Sequence, residues 1–149
     1  MSHLPSVVIL SYPGALQSAV LGLSDILAFA GLSSRVVTTP EERPDQVSVI
    51  VLPPSERQPA LEDAPWIPEW LRHSAENGAL ICSACVGVTW IAAAGLDAGR
   101  PVTTHWAIGA EIRKVWPGLK VETDRLVIEY SDLVTAGGLM AWIDLALIV

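Results

Sequence analysis

Ala79-Leu80-Ile81-Cys82-Ser83-Ala84-Cys85-Val86-Gly87-Val88-Thr89-Trp90 is the stretch whose reading decides the fold. It reads as a short buried strand, a corner of small residues and the opening of an apolar helix. A cysteine at such a corner is expected to face a cleft on the positive end of the helix dipole, which lowers a thiol pKa. Cys85 is therefore a candidate nucleophile. The same residues also suit a tight, inert, well-packed turn, and spacing alone leaves both readings open. Cys82 falls within the strand and reads as a small interior hydrophobe.

Outward from this corner, strand and helix patterns alternate. Ser6–Ser11 and Val47–Leu52 are apolar runs without polar alternation, as expected of strands covered on both faces. Arg35–Thr39 is another strand candidate, ended by Pro40. Leu16, Val20, Leu23, Leu27 and Ala30 recur at helical spacing, with Gly31 as the stop. Further helices are predicted over Trp66–Asn77, over Val86–Ala94, and from His105 to about Val115. Pro101–Thr104 is a brief extended segment. Leu119–Glu122, Arg125–Tyr130 and Leu133–Thr135 read as short strands, followed by Gly137-Gly138 and a helix from Leu139.

This order implies one α/β domain with a largely parallel sheet. Ligands bind such sheets at the carboxyl ends of the strands. Tyr12, Pro53, Cys85, Thr104 and Gly137 all fall at that edge. The last helix reaches Val149 still apolar and without a cap, so the sequence is expected to be part of a longer protein.

Composition excludes several classes. The net charge of −7 over 149 residues is the opposite of a nucleic-acid footprint. No apolar run approaches the roughly 18 residues of a membrane span. The first five residues lack a signal-peptide pattern, so a cytoplasmic protein is expected. Cys82 and Cys85 are three apart, but a zinc site needs about four ligands, and His3, His73 and His105 are the only histidines. Neither a metal nor a cofactor is expected.

Cys82-Ser83-Ala84-Cys85-Val86-Gly87, then Ala94-Gly95-Leu96-Asp97-Ala98-Gly99-Arg100, then Thr103-Thr104-His105-Trp106 together carry a resemblance. So do Tyr12-Pro13-Gly14, with Gly22 and Asp25 on the first helix, and Leu133–Gly138 with Ile143–Leu147. The chain resembles the ThiJ/PfpI branch of the class I glutamine amidotransferase-like superfamily, and within it the N-terminal domain of AraC-type transcriptional regulators. The likeness spans nearly the whole chain. It implies a flavodoxin-like three-layer sandwich that usually dimerises.

The resemblance also implies roles. In the enzymes of the superfamily the cysteine of the nucleophile elbow attacks, with a histidine about twenty residues on. Cys85 and His105 match those positions and would be catalytic if the chain is an enzyme. Many of the enzymes place a carboxylate on the first helix against the thiol. Here Ser18-Ala19 stands instead, and Asp25 is two turns further along. That departure favours a sensor over a hydrolase or hydratase of small amides, nitriles or isonitriles.

The expected pocket is built from Tyr12, Ser18, Cys85, His105, Trp106 and Gly138, and it would take a small-molecule effector. Gly137-Gly138 would offer backbone N–H groups to an anion, or would simply bend the chain. Of the six tryptophans, Trp106 is the expected pocket wall. Trp66, Trp70 and Trp116 read as core or interface residues, and Trp90 and Trp142 as packing or dimer contacts. DNA would be reached only through a further half beyond Val149, and no membrane contact is expected.

Overall fold

The computed structural model describes residues 5–138 and Ile143. In chain order its elements are β1 (Val7–Leu10), α1 (Gln17–Phe29), β2 (Ser34–Val37), β3 (Val49–Leu52), α2 (Trp66–Glu76), β4 (Leu80–Ala84), α3 (Val88–Ala94), α4 (Gly109–Val115), β5 (Val127–Glu129) and β6 (Leu133–Ala136). They form a six-stranded sheet in the order β2-β1-β3-β4-β6-β5, parallel except for β5 at one edge. This is the flavodoxin-like α/β architecture that the sequence predicts.

The apolar runs explain the centre of the sheet. All four residues of β1 and of β3 are buried, because helices cover both faces. The step from β1 to β2 runs opposite in direction to the step from β3 to β4. Right-handed crossovers then place α1 on one face and α2 on the other. On α1, Ala19, Val20, Leu23 and Leu27 turn inward at helical spacing. On α2 the buried residues are Ile67, Trp70, Leu71 and Ser74. Trp66 is half-buried and packs beside Trp70, with ring centres 5.8 Å apart. Trp90 is fully buried and meets Tyr12 edge-on at 5.6 Å, while Trp116 lies half-buried against the core. Trp142 lies outside the described residues.

Three expectations are corrected. Leu119–Glu122 is not a strand. Only Val121 bridges Val102, through Val102 N–H to the Lys120 carbonyl and Glu122 N–H to the Val102 carbonyl. One residue pair with no continuation makes no ladder. Arg125–Tyr130 shortens to β5, which runs antiparallel because the turn at 131–132 folds it directly back onto β6. The helix predicted over Val86–Ala94 begins instead with a 3-10 turn at Cys85–Gly87, leaving α3 only seven residues. The helix predicted from Leu139 lies outside the described residues, apart from Ile143, which packs against the core.

Candidate functional site

β4 delivers Cys85 to the carboxyl edge of the sheet, and the chain turns there at once. Cys85 adopts φ +56°, the left-handed region that costs a non-glycine residue roughly 1–2 kcal/mol. Two contacts hold it. Thr104 Oγ1 donates to the Cys85 carbonyl at 2.8 Å. Gly87 passes so close to β3 that a Cβ there would sit 2.6 Å from the Leu52 carbonyl oxygen. A strained strand-to-helix turn carrying a cysteine is the geometry of a nucleophile elbow.

The thiol at its tip is not the activated group that the dipole argument expects. Cys85 is 4% exposed. Burial pushes its pKa up, and the backbone N–H groups of Val86 and His105 only partly offset this. A seven-residue helix entered through a 3-10 turn has a weak macrodipole, and desolvation of the thiolate outweighs it. The expected cleft-facing, low-pKa thiol is thus a buried, protonated one.

His105 is half-buried and approaches Cys85 through its backbone N–H. Its imidazole is otherwise engaged. Nδ1 accepts the Ala107 N–H at 3.1 Å, and the ring stacks on Trp106 with centres 5.5 Å apart. In the neutral ring the proton therefore sits on Nε2. Among the described hydrogen bonds, none joins this imidazole to Cys85 Sγ. Trp106 itself is 76% exposed and lies on the surface against the His105 ring, not as the buried pocket wall the sequence predicts.

Tyr12 leaves β1 at the same edge and is buried, its hydroxyl donating to the Pro53 carbonyl. Burial raises its pKa, with Ser55 opposing and the Cys85 charge adding to the rise. These interactions place Tyr12, Ser55 and Cys85 in one neighbourhood. Ser18 is exposed on the first turn of α1, whereas Ala19 beside it is fully buried. That turn contains no acidic residue. Gly138 is half-buried with open space around its Cα, and the neighbouring Gly137 is crowded by the Thr104 carbonyl, 3.0 Å from where a Cβ would stand.

Pro54, Gln58 and Thr89 are absent from the sequence-based set, and Pro53 entered it only as a residue of the carboxyl edge. Pro53 accepts from Tyr12, the Pro54 carbonyl accepts from Leu16 N–H at 2.8 Å, and Thr89 Oγ1 donates to Gln58 Oε1 at 2.8 Å. The segment from Pro53 to Gln58 is thereby tied across the elbow. The double proline signals a fixed turn, but nothing local indicates what it covers. Among the described residues, no group of three or more His, Cys, Asp or Glu could hold a metal ion. No helix among them is long and apolar enough to cross a membrane. The arrangement gathers a thiol, two hydroxyls and backbone N–H groups at one edge of the sheet. Among the described residues, no carboxylate acts on the thiol.

Comparison with known proteins agrees with this geometry. Residues 7–149 match the DJ-1/PfpI family. An isonitrile hydratase from Pseudomonas putida is 32% identical over 126 residues, 84% of this chain and 53% of that protein, so the chain spans about half the length of this curated relative. A candidate transcriptional regulator from Vibrio parahaemolyticus superposes with a TM-score of 0.86 at 16% identity, over 97% of this chain and 90% of that one. Drosophila melanogaster DJ-1beta superposes with a TM-score of 0.81 at 20% identity, over 97% and 88% of the two chains.

Proposed function

This chain belongs to the DJ-1/PfpI family, and from that premise we propose that it is a ligand-sensing and dimerisation domain of an AraC-type transcriptional regulator. Its DNA-binding half would lie outside residues 1–149. The observation that carries this reading is the state of Cys85, a buried thiol whose pKa is raised with no acid at the start of α1 to counter it. An acid–base partner contributes roughly 10²–10⁴-fold to a rate. An elbow without one fits binding better than turnover. The effector pocket is formed by Tyr12, Ser18, Cys85, His105, Trp106 and Gly138. Ligand contacts there shift the geometry of a homodimer, which the DNA-binding half reports.

The test uses the whole natural gene product with its effector. Cys85→Ala combined with His105→Ala is expected to abolish the transcriptional response. A double variant that binds effector and activates like wild type would overturn the reading.

A second reading is favoured by the 32% identity to an isonitrile hydratase. In it Cys85 adds to a small amide, nitrile or isonitrile, with His105 moving the proton. Iodoacetamide labelling at neutral pH followed by mass spectrometry separates the two readings. The enzyme requires Cys85 to react faster than Cys82, and two equally inert thiols would eliminate it.

A further inference from the structure

A polar pocket opens at the edge of the sheet opposite the elbow. Ser6 precedes β1, Val47 and Ser48 precede β3, and Ser74 and Asn77 lie at the end of α2 just before β4. With Pro40 and residues 43–46 of the preceding loop, they line a cavity of about 880 Å³. Sites that enclose small organic ligands have volumes of roughly 300–1,000 Å³. Strands of four or five residues, at about 3.3 Å per residue, set this pocket roughly 15 Å from the elbow. It therefore belongs to a different site from that of Cys85.

Arg43 stands on one rim, already oriented. Its Nε donates to the Pro40 carbonyl at 2.7 Å, and its guanidinium lies 5.6 Å from the centre of the Trp66 ring. Neither contact uses the terminal nitrogens, which have no acceptor among the described residues. A planar fork immobilised in this way suits a carboxylate, since little side-chain freedom remains to be lost on binding.

Asp45 lines the same rim and forms no ion pair among the described residues. The far wall is the C-terminal turn of α2, the negative end of its dipole, with His73 and with Asn77 Nδ2 on the His73 carbonyl at 2.8 Å. Ser48 Oγ accepts the Ser6 N–H at 3.1 Å and keeps its own proton to donate. Trp70 and Val47 add an apolar surface. Asp45 opposes a purely anionic ligand at Arg43, and Arg43 opposes a purely cationic one at Asp45. A small molecule carrying both charges satisfies both residues.

We propose that this pocket binds a free α-amino acid, with its carboxylate on Arg43 and its ammonium towards Asp45. The inference does not depend on the role of Cys85. The twenty standard L-amino acids, with sodium acetate and ammonium chloride as single-charge probes, are titrated against the protein by thermal shift and by ¹⁵N NMR. At least one amino acid is expected to bind saturably and to shift the amides of Ser48 and His73. Arg43→Gln and Asp45→Asn, both at exposed positions, should each weaken that binding at least tenfold while the ligand-free protein still unfolds in one cooperative transition. The proposal is overturned if no amino acid binds saturably, if acetate binds as tightly, if the shifts centre on Cys85 and Thr104, or if both variants keep wild-type affinity.

Discussion

Thr104 Oγ1 donates a 2.8 Å hydrogen bond to the carbonyl of Cys85, a residue 19 positions earlier in the chain. The bond joins the segment leading into His105 to the strained corner after β4. Because both partners are buried, the Cys85 carbonyl has no water to turn to if Thr104 loses its hydroxyl. The site is thus built from two remote stretches that hold each other in place.

Thr104→Val keeps the shape and removes the donor. An unsatisfied buried carbonyl costs about 1–3 kcal/mol, and urea unfolding should show a loss of that size. Cys85 should also alkylate faster, because the left-handed corner is less firmly held. Stability within about 0.5 kcal/mol of wild type would mean that the bond is not a clamp.

Gly87→Ala forces backbone against backbone. The added Cβ would stand 2.6 Å from the Leu52 carbonyl oxygen, and no flexible side chain is there to yield. Overpacking of this kind costs about 1–3 kcal/mol. The variant should melt earlier and lose ligand binding at the elbow, since β3 and the turn after Cys85 must separate. Unchanged melting would show that the close approach relaxes freely.

Cys82 makes stability depend on alkaline pH. Its thiol is fully buried and pushed up to about 12 by desolvation, with Glu129 adding repulsion. Below pH 9, the ordinary value for a thiol, folded and unfolded chains both keep the proton and the contribution is complete. Between pH 9 and 12 the unfolded chain loses its proton first, so stability falls as pH rises, by at most about 1.4 kcal/mol per pH unit. Tyr12 and Cys85 are shifted in the same direction, so a single replacement is needed to isolate this residue. Urea titrations from pH 8 to 10.5 should show a shallower decline for Cys82→Ala, whatever its absolute stability. Parallel slopes would contradict the assignment.

Arg100→Gln tests a surface strut. Its guanidinium is bidentate to Asp132 at 2.7 and 3.0 Å and lies 4.4 Å from the centre of the Tyr130 ring. Both carboxylate and guanidinium are substantially exposed, which limits the ion pair to about 1 kcal/mol or less. The loss measured by thermal unfolding should shrink when salt is raised. A salt-independent loss would assign the effect to packing on Tyr130 instead.

Much of the fold is legible in the chain because its signals are local. Val7–Leu10 and Val49–Leu52 are wholly apolar, and the small residues around Cys85 require a tight corner. The strand at Leu119–Glu122 was not foreseeable as a single bridge, because ladder formation depends on what the partner segment offers. The site was legible in part. Tyr12, Cys85 and the backbone of His105 do meet, yet Ser18 is exposed on α1 and the His105 imidazole caps its own turn. Rotamers and solvent exposure follow from neighbours that are distant in sequence.

By itself the sequence determined the alternation of strand and helix patterns, the elbow, the absence of a carboxylate at Ser18-Ala19 and the family to which these belong. Each of these depends on residue type and spacing. The tertiary structure alone decided that Cys85 is buried with φ +56° and a raised pKa, and that Arg43, Ser48 and His73 share a pocket. A thiol's charge is governed by the solvent it loses, and that loss is imposed by the packing of the whole chain around the corner, which residue spacing does not reveal.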